Sequence, residues 1–244
     1  MKFNMVGSLS RCLLLAYRTP AESVRSLLPV GLELMTRGPW AFWNVVVCRV
    51  EKMRPTGLPR CCGLSYHHVA YRLYITAKTA AGKDMQGLYF LRSDVDSGTV
   101  CRGGNLATDF HFNRASIDIT SHDGVEAIGI TGTRGGKGDA MLRVRSVSDY
   151  PPVEDTCFAD ISEARTVLKY RPLGLSVLKD TRWLRVAEVF REESQWREAP
   201  VAVEAARWTY FEDLHQNDLA LELATQVAPI DYRWRLGRRE RMKC

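Results

Sequence analysis

Residues 66–76 alternate strictly between two kinds of side chain, which predicts a β-strand with two different faces. The first face is mostly apolar, and it would carry His67, Val69, Tyr71, Leu73 and Ile75. The second face would carry Tyr66, His68, Ala70, Arg72, Tyr74 and Thr76. Because the second face combines an imidazole, a guanidinium and two phenols around a small alanine, it predicts one wall of a polar cavity inside a sheet or barrel.

Other segments have the β-branched and apolar content of strands. We predict strands at 11–17, 42–50, 86–92, 114–120, 125–131 and 141–147, an extended stretch at 32–35, and a late long hairpin formed by 183–191 and 201–211. The turns between strands would include His122-Asp123-Gly124 and the glycine-rich stretch 134–139, which lacks the spacing of a phosphate-binding loop. These elements indicate an antiparallel meander in one continuous domain, 1–244.

Helical signals are few. Thr19 would cap a short helix, with Pro20 at its first position and Glu22 closing a capping box. The polar segment 155–170 resembles a helix or a lid over the sheet. The pattern therefore predicts an α+β chain that is mostly β.

Composition narrows the class of protein. The 244 residues carry a net charge of +6, and arginines are concentrated in a basic tail from about residue 233. We interpret this segment as a solvated tail rather than a nucleic-acid surface, because the chain lacks the usual nucleic-acid motifs. Seven cysteines, an odd number, favour a reducing compartment, so we expect a cytoplasmic protein. No apolar run approaches the length of a membrane span.

The segment Leu13–Leu34 resembles the opening of the acetoacetate decarboxylase superfamily, particularly its uncharacterised branch DUF2071. Tyr66-His67-His68 stands where that superfamily carries Tyr-x-Glu, and Arg72 matches an arginine typical of the branch. Gly87-Leu88-Tyr89-Phe90 with Asp94, and Gly103-Gly104, extend the likeness, which covers most of residues 10–120. The resemblance implies a large, mostly antiparallel sheet that closes into a cone-like barrel around a small cavity, with a few short helices.

Two departures from the family pattern bear on activity. The decarboxylases carry Phe-Pro-Lys-Lys, and aligning Phe110 leaves Phe112 and Asn113 where the lysines would be, so the Schiff-base lysine is missing. No spacing indicates that Lys169 or Lys179 replaces it. His68 stands in place of the cavity glutamate, and an imidazole can act as acid or base but not as a fixed negative charge.

The candidate site therefore consists of His68 as catalytic acid or base, with Arg72, Asn113, Arg11 and Tyr66 as ligand-binding residues. Arg11 is included because it lies close to the superfamily's N-terminal cavity arginine. We predict that the partner is a small anionic metabolite with a carboxylate or carbonyl group. We predict no cofactor and no metal, and a homo-oligomer is a possible assembly. A non-catalytic ligand-binding barrel is the alternative.

Structural roles compete with each of these assignments. His67 and His68 would also suit a structural role on the strand, with their ring nitrogens hydrogen-bonded to backbone groups or to water. Arg72 would equally suit an ion pair with a buried carboxylate. Cys61-Cys62 lacks a metal-ligand spacing, and Asp109 with His111 fits turn and edge positions as well as a dyad.

Overall fold

The computed structural model describes residues 3–133, 138–178 and 182–243. Within these ranges most of the chain is strand. The strands are β1 (Phe3–Pro20), β2 (Leu32–Leu34), β3 (Thr36–Arg37), β4 (Trp40–Pro55), β5 (Leu64–Lys78), β6 (Asp84–Val95), β7 (Phe112–His122), β8 (Val125–Gly132), β9 (Ala140–Ser146), β10 (Leu173–Val177), β11 (Trp183–Phe190), β12 (Glu198–Trp208), β13 (Ala220–Val227) and β14 (Ile230–Arg241). The α-helices are α1 (Ala21–Arg25), α2 (Gly98–Ala107), α3 (Ile161–Val167) and α4 (Thr209–Asp213).

The strands form one large sheet that closes on itself twice. Strands β1, β4, β5 and β6 lie side by side, and the sheet returns from β6 to β1 by two routes. One route runs through β7, β8, β9, β12 and β13, and the other runs through β10, β11 and β14. The prediction of a mostly β sheet that closes on itself is confirmed, although the β6–β7 and β6–β10 pairings are parallel, so the sheet is mixed.

Two long strands make this branching possible. Along β1, residues 3–9 pair with β14 on one edge, whereas residues 12–18 pair with β13 on that same edge. Along β6, Leu88 and Tyr89 lie beside β10, and residues 93–95 lie beside β7. The shared strands thus present one face to each closed ring.

The two faces of β5 enter two separate cores, as the alternation predicts. Val69, Tyr71 and Leu73 belong to the first core, which also contains Trp43 and Phe211. The second core contains residues of the opposite face, namely Tyr66, Ala70 and Tyr74. Because side chains alternate along a strand, His68 and Arg72 lie on the side of the second core.

The predicted start of α1 is wrong. Pro20 occupies the N-cap position and makes no side-chain cap bond. The Thr19 hydroxyl instead bonds Gln216 and Ser23, both at 3.1 Å. A tertiary contact with a buried glutamine has replaced the local capping bond.

Three predictions for the second half of the chain need correction. Strands β11 and β12 do not form a hairpin, because β11 pairs with β10 and β14, and β12 pairs with β9 and β13. The basic tail is not a solvated tail, because residues 230–241 form β14, which lies between β1 and β11. Of the segment 155–170, only Ile161–Val167 is helical.

The turns follow their sequence signals more closely. Asp123 (φ 51°) and Gly124 (φ 75°) adopt the left-handed backbone of a type I′ turn, and β7 and β8 form the predicted hairpin. The glycine-rich turn falls largely on residues 134–137, outside the described residues. Helix α2 was not predicted. Its Gly104 packs closely on Phe112, because a Cβ atom at this position would lie 2.5 Å from the Phe112 ring.

In the described ranges, no helix is both long enough and apolar enough to cross a membrane.

Candidate ligand-binding site

Three paired strands bring two thiols and an imidazole together on the face of the second core. Cys12 of β1 is the Cα partner of Cys48 on β4, and Cys48 is the Cα partner of His68 on β5. Both cysteines are buried. Arg72, four residues along β5 from His68, lies on the same face, beside Asn44 of β4.

Arg72 is buried, with 4% of its surface exposed. One of its Nη2 hydrogens is donated to Asn44 Oδ1, and Asn44 Nδ2 donates to the Tyr74 hydroxyl at 2.7 Å. Tyr74 donates in turn to the Leu168 carbonyl at 2.6 Å. This chain of neutral groups orients the guanidinium without neutralising its charge.

No carboxylate pairs with Arg72 in the described part of the chain, and its buried Nε has no hydrogen-bond partner there. The structural interpretation of Arg72 as half of a buried ion pair is therefore not supported. An unpaired buried charge is unfavourable by several kcal/mol unless a counter-ion reaches it.

The Tyr170 ring lies close to both Arg72 and a second arginine. The Arg72 guanidinium lies 5.7 Å from the centre of the Tyr170 ring, and the Arg191 guanidinium lies 4.9 Å from it. Arg191 also donates to Glu193 at 2.9 Å and lies 3.5 Å from the centre of the Trp196 ring. The Tyr232 ring meets Tyr170 edge-on at 6.4 Å.

We call these residues the inner cluster: Cys12, Cys48, Tyr66, His68, Arg72, Tyr170, Arg191 and Tyr232.

His68 is uncharged in this cluster. Its buried Nε2 has no described partner, and its ring stacks on Phe112 with centroids 5.5 Å apart. Burial, assisted by the Arg72 guanidinium, lowers the pKa of His68 to about 3. A neutral imidazole can donate or accept one hydrogen bond, but it is not an acid at neutral pH.

The thiols and phenols of the cluster are also neutral. Burial raises the pKa of Cys48 to about 12, and it raises the pKa of Cys12 and of Tyr66 still further. Burial likewise raises the pKa of Tyr170. The cluster therefore carries positive charge only, from Arg72 and Arg191, and Glu193 offsets the latter.

Little open space remains beside Arg72. A cavity of about 10 Å³ is bounded by Asn44, Leu168 and Tyr170, among others. That volume holds about one water molecule. A ligand at Arg72 must therefore displace a side chain, and the Tyr170 ring already lies close to both guanidinium groups.

The structure places Tyr66, His68 and Arg72 on the same face of β5, but it places the other two predicted ligand-binding residues elsewhere. Arg11 pairs with Glu126 of β8, with its Nε 3.1 Å from Glu126 Oε1. It lies on the opposite face of β1 from Cys12, so Arg11 does not face the second core.

Asn113 is also outside the cluster. Its Nδ2 donates to the His111 carbonyl at 2.8 Å. Phe112 stacks on His68, so Asn113, the next residue along β7, points to the other side of the strand.

The remaining candidates have structural partners. His67 Nδ1 lies 2.7 Å from Asp96, and His67 Nε2 lies 3.3 Å from Arg49 Nη1, so His67 is satisfied on the other face of β5. Asp109 pairs with Arg185 at 3.3 Å and not with His111. Cys61 and Cys62 are exposed.

Neither lysine considered as a replacement amine is a member of the inner cluster, although Lys169 is among the residues that line the cavity of about 10 Å³. The Lys169 ammonium is half-exposed and lies 3.5 Å from Glu193, whereas Lys179 lies outside the described residues. The described residues contain no group of three or more side chains arranged to hold a metal ion.

The sequence analysis missed Tyr170, Arg191 and Tyr232. Tyr170 and Arg191 lie in irregular segments with no periodicity, so nothing local marks them. Tyr232 lies immediately before the stretch interpreted as a tail. The sequence did contain a signal for Cys12, because this residue alternates with Leu13 on a predicted strand and so lies on the opposite face from it.

A family model matches residues 8–227, so the chain belongs to DUF2071, described as an uncharacterized conserved protein. No curated protein matches the chain.

Solved structures share the fold. Acetoacetate decarboxylase from Legionella pneumophila superposes with a TM-score of 0.61 at 13% identity, over 98% of this chain and 87% of that chain. An acetoacetate decarboxylase-like enzyme from Sphingomonas wittichii RW1 gives 0.57 at 14% identity, over 99% and 92%. The enduracididine biosynthesis enzyme MppR complexed with pyruvate gives 0.55 at 12% identity, over 99% and 90%. At these identities the likeness establishes the fold alone.

Proposed function

We propose that the inner cluster binds a small anionic metabolite through a carboxylate or carbonyl group, with Arg72 as the main anion-binding residue. The observation that carries this proposal is a buried guanidinium that has no carboxylate partner among the described residues and an unsatisfied Nε. A carboxylate is the natural complement, since a guanidinium can donate two parallel hydrogen bonds to it.

The ligand takes the place of the Tyr170 ring. That ring lies against both guanidinium groups, so its displacement would open a space flanked by Arg72 and Arg191. The two cation–ring contacts are worth about 0.5–2 kcal/mol each, and two charge-assisted hydrogen bonds to a carboxylate, at about 1.5–3 kcal/mol each, would offset their loss. His68 then supplies one hydrogen bond to a carbonyl or hydroxyl of the ligand.

The fold neighbours support the class of ligand. They include decarboxylases named for acetoacetate and an enzyme complexed with pyruvate. Both compounds are small oxo-acids, which carry the carboxylate and carbonyl that Arg72 and His68 would recognise. We therefore place 2-oxo and 3-oxo acids first among candidate ligands.

Schiff-base chemistry is not part of this proposal. Phe112 contacts His68 at a position that the family resemblance assigns to the lysine pair, and a phenyl ring cannot form an imine. If turnover occurs, His68 is the acid–base group, because a bound anion would raise its pKa toward neutrality. Without turnover, the protein is a binding protein.

Calorimetric titration with pyruvate and acetoacetate tests the proposal. Arg72→Met removes the charge while keeping an unbranched side chain, and Arg11→Gln is the matched control, because Arg11 pairs with Glu126 elsewhere. We expect the unaltered chain and the control to bind equally and the Arg72 variant to bind more weakly, by about 1.5–3 kcal/mol. Equal affinity in all three would refute the role of Arg72.

We also place the protein in the cytoplasm. The six cysteines in the described residues are all free, which suits a reducing compartment.

A further inference from the structure

A second recess, of about 670 Å³, crosses the outer face of four neighbouring strands, β4, β1, β14 and β11. One row of Cα partners runs across it. Arg54 is paired with Val6, and Val6 is paired with Arg233. Arg233 is paired with Phe190. Arg233 is exposed whereas its neighbour Tyr232 is buried. Arg191 and Tyr232 of the inner cluster also line this recess, the outer groove, so the two sites adjoin at these residues, whereas Arg72 is not among the lining residues.

The outer groove is strongly basic. It is lined by six cationic residues and two acidic ones: Lys52, Arg54, Arg60, Arg191, Arg233, Arg235, Glu192 and Asp231. In the described part of the chain Lys52, Arg60 and Arg233 form no ion pair. Uncompensated like charges in a recess create a positive potential that an anion would relieve.

The floor of the groove is made of small residues held in place by the backbone. Val6, Gly7 and Ser8 line it, and a Cβ atom at Gly7 would lie 2.9 Å from the Glu51 carbonyl oxygen. Lys52 has a left-handed backbone (φ 53°) at a bulge in β4. A larger residue at position 63 is excluded as well, because a Cβ atom on Gly63 would lie 2.6 Å from the Lys52 backbone. A bulge of this kind changes the direction of a side chain, and here it changes the direction of the Lys52 side chain.

Arg54 fixes the adjoining loop rather than remaining free for a ligand. Its Nε donates to the Leu58 carbonyl and its Nη1 donates to the Lys52 carbonyl, both at 2.9 Å. The loop that carries Arg60 is thereby held at one side of the groove.

An aromatic surface completes the groove. The Phe190 side chain is 43% exposed, and the Arg235 guanidinium lies 4.9 Å from the centre of its ring. Arg235 is itself held by Glu188 at 3.3 Å. The exposed part of the Phe190 ring is available to stack on a planar group.

We propose that the outer groove binds a phosphate-bearing small molecule of nucleotide size, with its phosphates between Lys52, Arg60 and Arg233 and its planar ring against Phe190. The recess has the volume usual for small-molecule sites, about 300–1,000 Å³. A single-stranded nucleic acid would instead need a longer track with several stacking rings. This site is separate from Arg72 and stands whether or not the inner cluster binds an oxo-acid.

The test is calorimetric titration of the full chain with ATP, inorganic tripolyphosphate and adenosine at about 150 mM salt. The groove variant combines Lys52→Gln, Arg60→Gln and Arg233→Gln. Its control combines Lys78→Gln, Arg102→Gln and Arg239→Gln, which removes the same charge from exposed positions outside the groove lining.

We expect saturable ATP binding that falls at least about tenfold in the groove variant and less than about twofold in the control. Phe190→Ala should weaken ATP binding by about threefold or more and leave tripolyphosphate binding unchanged. Arg72→Met should leave both unchanged, which separates this site from the inner cluster.

Three results would overturn the proposal. Equal losses in the groove and control variants would indicate attraction by net charge alone. Tight binding of an RNA oligonucleotide with no saturable mononucleotide binding would assign the groove to nucleic acid. Absence of ATP binding at concentrations up to about 1 mM would rule out the site. A Kd above that concentration corresponds to a binding free energy of roughly 4 kcal/mol or less.

Discussion

The two cores use the same four strands in opposite ways. On one face of β1, β4, β5 and β6 the first core packs Trp43, Tyr71 and Phe211 against one another, with the Trp43 and Phe211 ring centroids 4.9 Å apart. On the other face the second core surrounds Arg72 and His68. One face of the shared strands thus contributes to stability, and the other carries polar groups that packing alone does not explain.

This comparison predicts opposite phenotypes for neighbouring residues on β5. Leu73→Ala removes a fully buried side chain from the first core, so we expect the free energy of unfolding to fall by about 2–5 kcal/mol. Urea denaturation measures the loss. Affinity for a small oxo-acid should not change at temperatures where the variant is folded, and a selective loss of affinity would contradict the division between the faces.

Arg72→Met should have the reverse effect. It removes an unpaired buried charge, so the free energy of unfolding should change by less than about 1.5 kcal/mol or rise. Binding of the anion should weaken by about 1.5–3 kcal/mol, the value of a charge-assisted hydrogen bond. A loss of stability of about 3–5 kcal/mol with unchanged affinity would instead make Arg72 a structural residue.

The neutral state of His68 predicts a dependence of stability on pH. Because burial lowers its pKa from 6.5 to about 3, the unfolded chain binds a proton at His68 that the folded chain does not bind between these values. The contribution of neutral His68 to the free energy of unfolding is therefore fully present above about pH 6.5, and it is lost as the pH falls toward 3.

Denaturation of the unaltered chain and of His68→Gln measures this effect. Relative to the variant, the unaltered chain should lose about 1–2 kcal/mol between pH 7 and pH 5. Parallel pH profiles for the two proteins would show that His68 has an ordinary pKa.

Because the lysine pair is missing, we predict that the protein neither forms an imine with acetoacetate nor decarboxylates it. Borohydride added with acetoacetate should not attach a reduced adduct to the protein, and carbon dioxide should not be released above the uncatalysed rate. Mass spectrometry of the intact chain detects the adduct. Trapping on Lys169 or Lys179 would show that an imine forms at an amine outside β7.

Local patterns predicted what depends on local geometry. The alternation along β5 separated Val69 and Leu73 from His68 and Arg72, and the turn at Asp123-Gly124 followed from its φ requirements. The family resemblance supplied the closed sheet that periodicity alone could not specify.

Long-range pairing accounts for the failures. Nothing near residue 233 indicates that this stretch becomes β14 between β1 and β11, and nothing near Arg191 indicates that it meets Tyr170. Arg11 shows a different limit, because a one-residue error in register moves a side chain to the other face of a strand.

The most direct test of the central claim is a crystal structure of the protein soaked in pyruvate, compared with the unsoaked crystal. We predict a carboxylate within hydrogen-bond distance of Arg72, about 2.7–2.9 Å, with the Tyr170 ring displaced from its contacts with Arg72 and Arg191. An unmoved Tyr170 ring, with no anion at Arg72 in a crystal that holds pyruvate at saturating concentration, would contradict the account.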